Sequence, residues 1–498
     1  MKKLLLAIDI GTSACKTAVF NENGDILISK SKTYNIYYPH PGYVEQVPNE
    51  WWEAVCYCIK TMLTDGNINC NDIAGIGIDG QGWSAIAIDE NGNVLTNNPI
   101  WMDTRSTEIC NRIKKQINED EIFTVSGNPL QPMYSTGKVL WYKENMPHVY
   151  KNIYKILQSN SFIAYRLTGS IASDISQAYA FHCFDMKTGR YDDSMCKRLE
   201  IDRDLLPDIY NCHDIIGHVT QKAAEITGLA VGTPVVAGGL DAACGTLGAG
   251  VINAGQTQEQ GGQAGGMSCC IDKYNADKRL ILSYHVVPDK WLLQGGTVGG
   301  GGIMRWFEGE FGEAERLSRD KSSFVLLDDK ASEIPAASDG LIFLPYMAGE
   351  RSPIWDTNAK GVYYGLDYSK TKAHMIRASL EGVAFSLKHN LDIAESTGAV
   401  INELYATGGA ANSRLWTQIK ADVTGKKMIV PSSDNSATLG AAILAGVGTG
   451  VFGSFEQAVS KTVKISRVQE PDVKKYTVYD KNYKLYLKLY EKLKDITI

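Results

Sequence analysis

The sequence predicts an α/β protein, and three observations carry that reading. Two β-rich runs, residues 4–10 and 16–20, are followed by an Asn23-Gly24 turn into a third. The stretch "NEWWEAVCYCIKTMLTDG" then spaces Trp52, Val55, Ile59 and Met62 by three and four, the period of a helix with one apolar face. A second strand-and-turn run, "GIGIDGQGWSAIAIDENGNVLT", comes after it. Strand, crossover helix and strand in that order indicate helices laid on a sheet. At 498 residues the chain exceeds what one core usually organises, so two domains are expected.

In chain order, residues 4–10, 16–20 and the run after Asn23-Gly24 read as a three-stranded meander. The helix that follows is capped by Asn49 and stopped by Gly66. The next strand ends at Asp79, and Asn91-Gly92 closes a hairpin; these two strand regions are expected at two edges of one sheet. Around "GTLGAGVINAGQTQEQGGQAGG" glycine is dense and neither period persists, so the boundary is placed there, giving domains 1–250 and 251–498. Beyond it, Ile376, Leu380, Val383, Leu387, Leu391 and Ala394 form the clearest helical stripe, with Gly398 as its stop. "INELYATGG" is a strand entering a glycine turn, "NSRLWTQIKADVTG" a helix, "KKMIVPSS" a strand and "SATLGAAILAG" a small-residue helix. Tyr476, Tyr479, Tyr483, Tyr486 and Tyr490 space a terminal helix, either docked or presenting an interaction stripe.

Composition excludes several classes. With 50 basic against 56 acidic residues and no basic block, nucleic acid is not an expected partner. "MKKLLLAIDI" imitates a signal peptide briefly, but Asp9 breaks it and no cleavage site follows. No apolar run reaches the ~18 residues of a membrane span. Eleven cysteines, an odd number without a C-x-x-C pair, read as reduced thiols in a cytoplasmic protein. Cys56/Cys58 and Cys269/Cys270 lack nearby histidines and read as small buried residues instead of metal ligands.

Four glycine-rich turns adjoin predicted strands: "DIGTSACK", "GGLDAACG", "GGQAGG" and "TGGAANSRLW". Small residues let several backbone N–H groups converge on phosphate oxygens, although a turn that simply needs φ > 0 has the same appearance. Two of these turns carry an aspartate, where bare phosphate is repelled. Asp9 beside Gly11, Thr12 and Ser13 makes sense if Mg²⁺ lies between carboxylate and phosphate. The hydroxyls of Thr12 and Ser13 and the Lys16 ammonium would then meet the terminal phosphate, with a solvated surface lysine as the alternative for Lys16. Asp241 could orient an attacking hydroxyl and take its proton, or cap a helix.

These residues resemble the FGGY family of carbohydrate kinases, and within it the xylulokinase branch. "AIDIGTS" matches the opening phosphate motif, "MYSTGKVLW" the first family signature, and "GVYYGLDYSKTKAHMIRASLEGVAFSLK" the second. "LPYMAGERSP", "GGAANSRLW" and "PHPGYVEQVPNEWW" also stand in order. The resemblance implies two actin-like, ribonuclease H-like domains with a cleft between them, sugar on the N-terminal side and ATP on the C-terminal side. It implies Asp9 as the Mg²⁺ residue, acting through water, Gly11 to Ser13 on the phosphates, and Asp241 as the base. It puts Gln81, Gly82, Trp83, Trp101 and Asp103 on the sugar. Gly408, Gly409, Ala410 and Asn412 would cradle adenosine, with Gly262, Gln263, Gly302 and Arg305 lining the nucleotide side. A small sugar, first D-xylulose, is the expected substrate, and a homodimer is an expectation of the resemblance alone. Core packing remains the alternative for Trp83 and Trp101.

Three positions depart from the branch. Gly82-Trp83 replaces Met-His, Ala242 replaces an asparagine, and Gly262-Gln263-Ala264 replaces Gly-Thr-Ser or Gly-Thr-Thr. An indole offers one donor and no acceptor, so the sugar must be read differently. Ribulose, another ketose, a polyol such as erythritol, or a non-catalytic sugar sensor are the alternatives.

Overall fold

The computed structural model describes residues 3–433 and 435–496. The N-terminal meander is β1 (Leu4–Ile10), β2 (Ala14–Phe20) and β3 (Ile26–Thr33), all antiparallel neighbours. Helix α1 (Pro48–Asp65) covers them with Trp51, Val55, Ile59 and Met62 buried. It begins one residue before the expected Asn49 cap, because Pro48 has its φ preset for the first helical position and no N–H to satisfy.

β4 (Ile73–Gly80) lies parallel to β1, in the interior of the sheet. The expectation of two edges is therefore wrong: the sheet needs a parallel partner for β1, and the crossover through α1 supplies it. The hairpin after β4 leaves the sheet altogether, its short strand Ile86–Ile88 pairing with Lys155–Leu157. Further along come α2 (Ser135–Asn145), β5 (Ile215–His218), β6 (Pro234–Val236) and β7 (Gly239–Leu240). The first sheet has the order β5-β6-β4-β1-β2-β3, with β7 also beside β4.

After α3 (Asp241–Gly248) a second seven-stranded sheet begins with β8 (Gly255–Gly261) and β9 (Gly265–Ile271). These strands occupy the segment where the sequence shows no period. Their glycines and glutamines hide it: Gln258 donates to the Gly245 carbonyl at 3.1 Å, so a polar side chain is satisfied inside the sheet. β10 (Ile281–Tyr284), β11 (Trp291–Thr297), α4 (Gly301–Phe311) and the long α5 (Lys372–Ser396) follow. Then come β12 (Ile401–Thr407), α6 (Arg414–Thr424), β13 (Lys427–Pro431), α7 (Ser436–Gly448), β14 (Ile465–Gln469) and α8 (Val473–Leu493). The order is β10-β11-β9-β8-β12-β13-β14. Both sheets share one plan: an antiparallel meander whose first strand runs parallel to the next two, with an antiparallel strand at the far edge.

The two halves are joined through α3 and α7. A Cβ on Gly440 would lie 1.9 Å from the Cys244 carbonyl, and one on Gly248 would lie 1.8 Å from that of Ser436. The α7 backbone also touches β4 where Gly77 lacks a side chain, so a helix from the C-terminal half covers the first sheet. Helix α8 is docked: Tyr479, Tyr483 and Tyr486 are buried, and Tyr486 meets the Tyr346 hydroxyl at 2.6 Å. All eleven cysteines are free thiols.

Candidate active site

The carboxyl ends of three neighbouring strands bring three aspartates together. The parallel register sets Asp9 of β1 against Asp79 of β4, and Gly239 of β7 against Asp79 in turn. Two residues after Gly239 the chain turns into α3, whose first residue is Asp241. The open ends of parallel strands are where such sheets place ligands. Burial, with the Asp9 charge second, pushes the Asp241 carboxyl up to about 7. Burial raises Asp9 to about 6 against the opposing Lys16 ammonium. Asp79 is held above the usual range by burial and by both neighbours. The Ala242 N–H donates to Asp241 Oδ1 at 2.6 Å.

Three mutually repelling carboxylates suit a hard divalent cation. Asp79 is fully buried, with no donor to either oxygen among the described residues and its carboxyl against that of Asp9. No group of three or more ligating side chains among the described residues encloses a metal by itself. Water and phosphate oxygens would complete the shell, as is usual for Mg²⁺, and the donor set fits that ion.

The Gly11 turn is closed by its own N–H to the Ala14 carbonyl at 3.2 Å. Thr12 differs from expectation. Its hydroxyl donates to Gln81 Oε1 at 3.3 Å and accepts from Trp101 Nε1 at 3.0 Å, so its one proton is committed to the Gln81 side chain. Ser13 and Lys16 are exposed beside the turn, Lys16 opposite Asp9 in the β1–β2 register.

A cavity of about 210 Å³ opens between the halves. Gln81, Gly82, Trp83, Trp101 and Asp241 line it from the first half, and Gln260, Ser268, Gln294 and Arg351 from the second. Asp103 does not reach it. It is fully buried, accepts the Val44 N–H at 2.6 Å and pairs with Arg105 at 2.8 Å, because a carboxylate beneath this loop needs a cation and donors. It braces the loop that carries Trp101. Trp83 both packs and faces the cavity: its ring lies 4.4 Å from that of Tyr134, its φ is +60°, and its Nε1 has no partner among the described residues. A residue the sequence reading left without a role secures that backbone. Lys138 of α2, fully buried, donates to the Trp83 carbonyl at 2.7 Å and the Ile100 carbonyl at 2.8 Å. Burial lowers its amine to about 7. The only sequence signal was its place in "MYSTGKVLW".

A larger cavity, about 440 Å³, belongs wholly to the second half. Gly262, Gln263, Arg305, Gly409, Ala410 and Asn412 line it together. Gly302 and Gly408 stand behind its wall. Gly302 donates to the Gln263 carbonyl at 2.9 Å, and a Cβ there would sit 2.3 Å from Gln263 Nε2. Gly408 has φ +80° and backs onto Gly261. Both positions serve close backbone approach, which no larger residue permits. Phe324, Val325 and Trp416 are among the other lining residues and were not foreseen. The turn after β8 serves both cavities, Gln260, Gly265 and Gly266 facing the smaller one and Gly261 to Gln263 the larger.

Comparisons with known proteins agree with this architecture. Residues 4–248 match the N-terminal domain of the FGGY family of carbohydrate kinases, and residues 273–449 match its C-terminal domain. A xylulose kinase from Staphylococcus epidermidis is 31% identical over 100% of this chain and 98% of its own. A gluconokinase from Bacillus subtilis is 32% identical over 93% of this chain and 91% of its own. The crystal structure of xylulose kinase from Rhodospirillum rubrum superposes with a TM-score of 0.90 at 27% identity, covering 99% of both chains. Two sheets of one plan, a carboxylate cluster in the cleft between them and full-length matches of this kind lead to one conclusion: the chain belongs to the FGGY family of carbohydrate kinases.

Proposed function

We propose that the protein transfers the γ-phosphoryl group of ATP to the 5-hydroxyl of D-xylulose, giving D-xylulose 5-phosphate, with residues 1–250 as the sugar domain and 251–498 as the nucleotide domain. The observation that carries this is the shared turn: two cavities meet across Gln260 to Gly266, and Asp241 lines the smaller. At about 210 Å³ that cavity lies below the ~300–1,000 Å³ of drug-sized pockets and suits a small polyol. Asp241 orients the sugar hydroxyl and accepts its proton as the O–P bond forms. The Gly11 turn, Ser13 and Lys16 meet the phosphates, and the Trp83 ring forms one wall for the sugar, its indole N–H buried beside the Tyr179 hydroxyl. Mg²⁺-ATP, when bound, supplies the phosphoryl group and offsets the charge that Asp9 and the phosphates share. Phe324, Val325 and Trp416 offer apolar surface to the adenine.

A second reading, an aldonate such as gluconate, is favoured by Arg351. Arg351 lines the sugar cavity, and its guanidinium donates to a backbone carbonyl, that of Thr297, at 3.3 Å. The gluconokinase relative points the same way. Coupled ADP release with Mg²⁺-ATP, across ketopentoses, ketohexoses, polyols and gluconate, decides between them. D-xylulose giving the highest kcat/KM, nearly abolished by Asp241→Asn, is the expected result. A dominant gluconate signal selects the second reading, and nucleotide binding without turnover on any sugar rules out both.

A further inference from the structure

One carboxylate of the cluster, Asp79, has no role in the proposed reaction above. Asp79 is the penultimate residue of β4 and fully buried; neither oxygen has a donor among the described residues, and the group its carboxyl reaches is the carboxyl of Asp9. Buried polar groups are ordinarily paired, and an unpaired carboxylate is among the costliest exceptions. The hydroxyls nearby are committed elsewhere: Ser159 donates to the Gln81 carbonyl at 2.8 Å, Ser176 to Asp174 at 2.5 Å, and Thr12 to Gln81. For packing alone, a neutral side chain of the same size would serve β4 better.

The register explains what the group is for. Partners in a parallel ladder project from the same face, so Asp79 stands beside Asp9, with Asp241 beyond it at the start of α3. Mg²⁺ is commonly held by one or two carboxylates, with water and substrate phosphates filling the remaining positions. Asp9 alone supplies one. We propose that Asp79 is a second carboxylate holding the nucleotide's divalent cation together with Asp9, through water bound to the cation. This rests on the Mg²⁺-dependent reading above and adds to it a residue outside the glycine turns.

The test is direct cation binding to the full chain in the presence of ADP, with Mn²⁺ as the probe, followed by electron paramagnetic resonance. Wild type, Asp79→Asn, Asp79→Ser and Asp9→Asn are compared, and each is melted without metal to verify folding. Asp79→Asn and Asp79→Ser should weaken Mn²⁺ at least tenfold, leave ADP affinity in EDTA within twofold of wild type, and melt higher than wild type without metal. Mn²⁺ affinity within twofold of wild type in either folded variant would overturn the role of Asp79. If Asp9→Asn still abolished Mn²⁺ binding in that case, the underlying reading would stand without Asp79. If wild type itself bound no Mn²⁺ with ADP, both would fall.

Discussion

In its proposed role as base Asp241 must be ionised to take a proton, and the fold works against its ionisation. Its carboxyl stands at about 7 because it is buried and because Asp9 is close. Below that value the group is protonated and cannot act as a base. The kcat/KM for Mg²⁺-ATP, which reports the free enzyme, should therefore fall about tenfold per pH unit below pH 7 and level off above it. A bound cation favours the ionised form, so the acid limb of kcat should lie lower than that of kcat/KM. Asp241→Asn should cost roughly 10²–10⁴ in kcat and erase the limb. A limb that survives this substitution would assign the titration to another group. Asp241 and Asp9 were legible because each is a carboxylate set in a glycine-rich turn, a combination with few bland explanations. Asp79 was not, since an aspartate after "GIGI" reads only as the end of a strand, and its importance comes from the ladder partner that folding supplies. Asp103 misled in the opposite direction. Beside Trp101 it looks like a sugar ligand, and only the structure shows that Arg105 and the Val44 N–H already occupy it.

Among the elements, those built on apolar periodicity were legible and those built on backbone proximity were not. Helix α5 was read nearly to its ends because a six-residue stripe packs one face. Strands β8 and β9 were missed because their glycines let other backbone approach: a Cβ on Gly265 would lie 3.1 Å from the Gly299 carbonyl oxygen, and one on Gly266 3.1 Å from that of Gly295. The same logic governs α7. Its small residues were read correctly as a helix, but nothing in a single sequence says which helix they must touch. Gly440 of α7 lies against the Cys244 carbonyl of α3, a backbone atom that cannot rotate away. In an open helix, Gly→Ala stabilises by ~0.5–1 kcal/mol; here the overpacking should outweigh that gain and leave a net loss of ~1–3 kcal/mol. Gly309 of α4, with nothing within 4 Å of its would-be Cβ, is the control. Thermal melts should show Gly440→Ala lowered and Gly309→Ala unchanged or raised. Equal behaviour of the two would mean that α3 and α7 can part without cost.

At the scale of the whole molecule, the two cavities differ in ownership. Every wall of the larger cavity, proposed for the nucleotide, belongs to the second half, whereas the smaller, proposed for the sugar, needs Trp83, Trp101 and Asp241 from one half and Gln260, Gln294 and Arg351 from the other. Length foretold two halves, but not that a helix of the second would lie across the first sheet, which ties their relative position to α3 and α7. Nucleotide phosphates reaching from Gly262 toward the Gly11 turn would draw the halves together, and the sugar would then meet both of its walls at once. Each ligand stabilises the closed arrangement that the other prefers, so the coupling must be reciprocal. Isothermal titration of the sugar should show its affinity rising at least ~5-fold when a non-hydrolysable ATP analogue is present, and the analogue's affinity rising by the same factor when sugar is present. Small-angle scattering should show the radius of gyration falling most with both ligands bound. Sugar affinity indifferent to the analogue would mean that the cleft is already closed in the free protein, and that the second-half wall contributes to the sugar pocket without any movement.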